Sequence, residues 1–174
     1  MKRVLFLLLF LAGCSVTPPK STSPDTIFDL SGRIAVKYDD EGFYGNLRWI
    51  HRRHSDEVWL LSPLGQTVAH IEKNSSGALL TSGDGKRYQA ADVESLTEKI
   101  LGWRLPLEGL DSWVAGRAAS GSPSQASYEG GILKRLNQDG WDIQYERRFE
   151  NGRPRQLQLQ RKGIRIKFVV DADT

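Results

Sequence analysis

Residues 141–170, WDIQYERRFENGRPRQLQLQRKGIRIKFVV, decide the fold. Trp141, Ile143, Tyr145 and Phe149 alternate with Asp142, Gln144, Glu146 and Arg148. Leu157 and Leu159 oppose Gln156, Gln158 and Gln160, and Ile164, Ile166, Phe168 and Val170 oppose Arg165 and Lys167. Successive side chains of a strand point to opposite faces, so this period of two describes strands with one buried and one wet face. Asn151-Gly152 and Lys162-Gly163 mark tight turns between them, which predicts an antiparallel meander.

The same pattern extends toward the N-terminus. A strand is expected at 131–137, before the Gln138-Asp139-Gly140 turn. Phe28, Leu30, Ile34, Val36 and Tyr38 share one face, with Asp29, Ser31, Arg33 and Lys37 on the other. After the Asp39–Gly42 turn, Phe43, Leu47 and Trp49 alternate with Tyr44, Asn46 and Arg48. Short strands follow at 56–62, 66–72, 77–82 and 86–89, so roughly nine strands are expected. Two segments break the period. Val93, Leu96, Thr97 and Ile100 have helical spacing, with Asp92 placed as N-cap and Gly102 beyond the end. Pro106 opens a second helix over 106–115, with Leu107, Leu110 and Val114 as its stripe. Residues 117–129 read as a small-residue loop.

The fold class is therefore mainly β (α+β): a single antiparallel sheet with one heavily apolar face. Two helices of about ten residues are only ~15 Å long and cannot cover such a sheet if it is flat. Curling into a barrel, a partner, or a ligand in a cavity would bury the remainder, and a small barrel filled by its own side chains fits the pattern equally.

Before the strands lies a different segment. Lys2 and Arg3 precede an apolar run over 4–11 and then Ala12-Gly13-Cys14, the layout of a secretory signal peptide too short to span a membrane. Leu11-Ala12-Gly13-Cys14 resembles the bacterial lipobox, and Cys14 is the single cysteine of the 174-residue chain. The expected division is a signal peptide at 1–13, a lipidated Cys14 with a flexible tether at 14–27, and a lipid-binding half-barrel domain at 28–174. Ser15 after the Cys, by resemblance to Gram-negative lipoproteins, implies sorting to the outer membrane. Thirteen tether residues, 15–27, reach up to ~40 Å when extended.

Losing Lys2 and Arg3 leaves 22 basic residues against 21 acidic ones. That balance offers no excess charge for gripping phosphates, so nucleic acid is not an expected partner. No Gly-x-Ser-x-Gly elbow occurs, and Gly83-Asp84-Gly85-Lys86 lacks the spacing of a phosphate-binding loop. His51, His54 and His70 are scattered, the first two beside Arg52 and Arg53 in what reads as a solvated turn. No catalytic residue, metal or cofactor is expected. The Ser62-Pro63-Leu64-Gly65 turn puts Leu64 at a tip, either folded back on the sheet or pointing outward to a membrane or partner.

Several stretches resemble one family in order: Gly32-Arg33-Ile34-Ala35, Ser62-Pro63-Leu64-Gly65, Tyr88-Gln89-Ala90-Ala91-Asp92, Leu101-Gly102-Trp103, Leu105-Pro106-Leu107, Trp113-Val114-Ala115-Gly116 and Arg165-Ile166-Lys167. With the lipobox, this order is similar to LolB, an outer-membrane lipoprotein that receives other lipoproteins and inserts them into that membrane. Residues 117–129 have no counterpart in that pattern. The resemblance implies an unclosed β-barrel with short helices lidding an apolar cavity. It implies acyl-chain lining or support from Trp49, Trp113, Trp141, Tyr145, Phe28 and Ile34, and membrane insertion through Leu64 between Pro63 and Gly65. It also implies a monomer without enzymatic activity, anchored through Cys14 on the periplasmic side of the outer membrane, that takes acylated cargo from the soluble carrier LolA. A second expectation is a structural lipoprotein that buries its sheet against an outer-membrane protein.

Overall fold

The alternating segments pair into one continuous antiparallel sheet. A computed structural model describes residues 23–173; the signal peptide, Cys14 and most of the tether lie outside the described residues. The strands are β1 (Thr26–Tyr38), β2 (Glu41–Arg52), β3 (Ser55–Leu61), β4 (Thr67–Asn74), β5 (Gly77–Ser82) and β6 (Arg87–Ala90). After helices α1 (Val93–Leu101) and α2 (Leu107–Val114) come β7 (Ser124–Glu129), β8 (Ile132–Gln138), β9 (Trp141–Arg148), β10 (Pro154–Arg161) and β11 (Ile164–Asp173).

The order across the sheet is β6-β5-β4-β3-β2-β1-β11-β10-β9-β8-β7. Two meanders are thus joined at the centre by β1 and β11, in register from Tyr38↔Ile164 to Leu30↔Asp173. Gly32 belongs at this seam: a β-bulge falls between Ser31 and Gly32, and a Cβ there would collide with the Val169 carbonyl. The outer edges are β6 and β7, and the chain between them carries both helices across the inner face. At about 4.8 Å per strand, eleven flat strands would span ~50 Å. Yet residues from β1, β5, β9 and both helices form one buried cluster, so the sheet curls around its lid without closing into a barrel.

Two expected elements need correction. The segment 117–129 is not all loop, because Ser124–Glu129 forms β7 on the sheet edge. Its side chains are all exposed and carry no alternation, so hydrophobic period could not reveal it. The signal was Gly130-Gly131, whose positive φ values of 57° and 78° suit a two-residue hairpin. The second helix is broken: Glu108 is extended and Gly109 has φ 88°, and the Trp113 ring lies where a Cβ at 109 would be, so the break falls at a residue that suits both. Helix α1 matches its expected span. The Asp92 carboxylate accepts from Ser95 N at 2.7 Å, and Gly102 ends it in the left-handed region.

Candidate functional site: a lidded core and an exposed tip

The six aromatic and aliphatic candidates come together in one core. Trp49 and Trp113 are each 1% exposed and Trp141 2%, with Phe28, Ile34 and Tyr145 also buried in the same cluster. The five strand positions follow from the period of two, and Trp113 lies beside the expected helix stripe. Phe28 meets Trp49 edge-on at 4.9 Å, while Trp113 of the lid lies 6.5 Å from Trp141 of β9.

Buried indoles and phenols keep partners. Trp49 Nε1 donates to Asp56 Oδ1 at 2.8 Å, and His51 Nδ1 lies 2.7 Å from the same oxygen. His51 is therefore part of β2 and not of a solvated turn. The Tyr145 hydroxyl donates to the Trp113 carbonyl at 3.1 Å, and burial pushes its pKa upward. Trp113 Nε1 donates to Gln138 Oε1 at 2.9 Å. A 3.6 Å ion pair between Glu108 and Lys73 of β4 adds an exposed tie. Few polar contacts thus hold α2 to the sheet, and most of its attachment is apolar packing of Leu107, Leu110, Trp113 and Val114.

The interior is occupied by these side chains. Two clefts lie away from these side chains: about 580 Å³ beside Glu72, Ser76 and Gln89, and about 550 Å³ beside Arg148, Phe149 and Arg155. A third, about 330 Å³, lies where α1 ends against the β10–β11 turn, bordered by Trp103, Arg104, Trp141 and Arg161.

At one end of the sheet, Leu64 stands 88% exposed. The turn is rigidly closed: Ser62 N donates to Gln66 O at 2.8 Å, Gly65 N to Ser62 O at 2.9 Å, and Gly65 supplies φ 83°. Of the two orientations open to Leu64, the structure selects the outward one. Pro63 and Gly65 flank it and are exposed as well.

Sequence reasoning missed Gln138 and Asp56. The sequence places Gln138 in a turn, yet it closes β8 with its amide buried under the 117–123 segment. Asp56 alternates in phase with Val58 and Leu60, so its burial was legible from the strand period alone. Among the described residues no group of three His, Cys, Asp or Glu side chains could hold a metal ion. No described helix is long and apolar enough to cross a membrane.

Comparison with known proteins bears on this arrangement. Residues 26–172 match the family model described as Outer membrane lipoprotein LolB. Three proteins named Outer-membrane lipoprotein LolB are similar to this chain. That of Chromobacterium violaceum is 38% identical, covering 99% of this chain and 98% of its own length. That of Nitrosomonas europaea is 33% identical over 97% and 89%, and that of Thiobacillus denitrificans 36% over 93% and 90%.

Proposed function

This chain belongs to the LolB family of outer-membrane lipoproteins, and from that premise we propose how its core and tip move acylated proteins into the membrane. It is an outer-membrane lipoprotein that receives other lipoproteins. In the proposal it is held by acylated Cys14 on a tether over 14–27, acts as a monomer, and accepts cargo from the soluble carrier LolA. The half-barrel of 28–174 shelters the acyl chains, and no covalent chemistry is required.

The physical need is large. A chain of ~16 carbons carries about 15 methylenes, each favouring removal from water by ~0.8 kcal/mol, or roughly 12 kcal/mol per chain. Hand-over between two apolar interiors avoids that exposure. Because the core is packed, entry begins with displacement of α1 and α2, whose packing in one buried cluster with Trp49, Trp141, Tyr145, Phe28 and Ile34 is exchanged for contacts with the acyl chain. The broken backbone at Glu108-Gly109 supplies a joint within that lid.

Delivery is carried by one observation: Leu64 is 88% exposed on a closed turn with Pro63 and Gly65. Burying a leucine side chain contributes about 2 kcal/mol, enough to favour contact with the apolar layer and small enough to remain reversible. Mixing the acylated receptor with carrier-bound lipoprotein and following the cargo tests the reading; expected is transfer to the receptor and then to vesicles. Leu64→Glu should retain uptake and lose release at least ten-fold, and normal release by that variant would refute the insertion role. A structural role, with the sheet buried on a membrane protein, has lost its ground: the inner face is already covered by α1, α2 and its own side chains.

A further inference from the structure

The Leu64 turn has a twin. In Ser82-Gly83-Asp84-Gly85-Lys86, Ser82 N donates to Lys86 O at 2.9 Å and Gly85 N to Ser82 O at 2.8 Å. These are the same two bonds that close Ser62–Gln66, and Gly85 has the same φ of 83° as Gly65. The turns stand side by side, because β4 pairs with β5 through Ala69↔Ser82 and Gly83 N donates to Val68 O at 3.0 Å. One turn presents an apolar tip and the other a charged one.

The charges of the second turn are arranged unequally. Lys86 Nζ lies 2.7 Å from Asp84 Oδ2, with the Lys86 side chain 69% exposed. Ser82 Oγ also donates to Asp84, and these bonds hold its carboxyl at about 2, so it stays ionised and matched by Lys86. Arg87, next in the chain, is exposed and makes no ion pair among the described residues. The turn therefore carries one net positive charge. The Lys86 ammonium has three N–H donors and commits one to Asp84.

We propose that the Ser82–Arg87 turn is the second half of a membrane-contacting foot, in which Lys86 and Arg87 bind the phosphate groups of anionic phospholipids while Leu64 enters the apolar layer beside them. The inference rests on the insertion role of Leu64. A single leucine next to basic groups suits a layered surface, apolar below and ionic above; a protein interface would bring a broader apolar core. Basic side chains at an anionic surface each strengthen contact by about five-fold, and this attraction is screened by salt.

The test places the acylated receptor in phosphatidylethanolamine vesicles, one part in four being either phosphatidylglycerol or phosphatidylcholine. Release of cargo from receptor to bilayer is timed at low and high salt. The parent should release faster into the phosphatidylglycerol vesicles, by roughly five- to thirty-fold, and lose that advantage as salt rises. The double variant K86E/R87E should lose it with uptake unchanged. A parent indifferent to phosphatidylglycerol overturns the proposal, and that arm needs no variant to fold. So does a double variant that keeps the preference, or one whose defect lies in uptake, which would mark the turn as a contact for carrier or cargo. Leu64→Glu separates the readings: it should fail on both vesicles, and if it delivers normally the insertion role itself fails.

Discussion

Gln138 shows how much one side chain can organise. From a position 3% exposed, its Oε1 accepts from Trp113 Nε1 and Ala119 N, while its Nε2 donates to the Ala119 carbonyl and to Ser122. It thereby ties α2, the 117–123 segment and β8 at one point. Gln138→Leu would strand several buried polar groups, and we expect a loss of about 3 kcal/mol, read from urea unfolding. In that background Trp113→Phe should cost less than in the parent, since the indole N–H has already lost its acceptor; equal costs would show that the two side chains do not act together. Leu64 is the converse case, a large apolar side chain held in water by its turn. Neither placement could be read locally, because Gln138 sits beside an obvious turn and Leu64 has two orientations compatible with Pro63 and Gly65.

Among the elements, α1 was the most legible and β7 the least. Capping is written in the chain, and Asp92 with Gly102 bounds α1 as expected. The Ser95 backbone N–H, first, and its hydroxyl hold the Asp92 carboxyl below its ordinary 3.8. A lowered folded value means stability that is present above 3.8 and lost as pH falls through the lowered value. Asp92→Ala should therefore cost about 1 kcal/mol near neutrality, and its Tm deficit should shrink steadily as the pH is taken down below 3.8. A deficit independent of pH would remove the ionised cap from the account. Helix α2 keeps its apolar stripe yet breaks at Glu108-Gly109, with the Trp113 ring over Gly109, a contact no helical period announces. Strand β7 exists because β8 offers it a ladder, since its own residues bury nothing.

The whole molecule depends on a seam between its sequence extremes. The first strand pairs with the last at the centre of the sheet, so the two meanders have no other strand contact. Ending the chain after Arg161 removes β11 and exposes β1 and β10 as new edges in the middle of the core. We expect that truncated chain to show no cooperative unfolding transition, measured by tryptophan fluorescence against urea; a single sharp transition would mean that one meander folds alone. The open edges at β6 and β7 lie at the opposite extremes, joined by the lid segment that crosses the inner face. In the proposed uptake, displacing that segment would leave the ladder from β6 to β7 intact.

By itself the amino-acid sequence determined what is local: which residues face inward, where turns and the α1 cap fall, and the leader and Cys14 that suggest lipid anchoring. Period-two alternation and turn chemistry act over a few residues, so they leave a readable mark. Tertiary structure alone decided that β1 closes on β11, that the 117–123 segment covers Gln138, and which of its two orientations Leu64 takes; the unclosed sheet agrees with what the family resemblance implies. The central pairing depends on curvature and on contacts between residues more than a hundred positions apart, and the burial of Gln138 on partners 19 to 25 positions away; neither leaves a periodic trace in the chain.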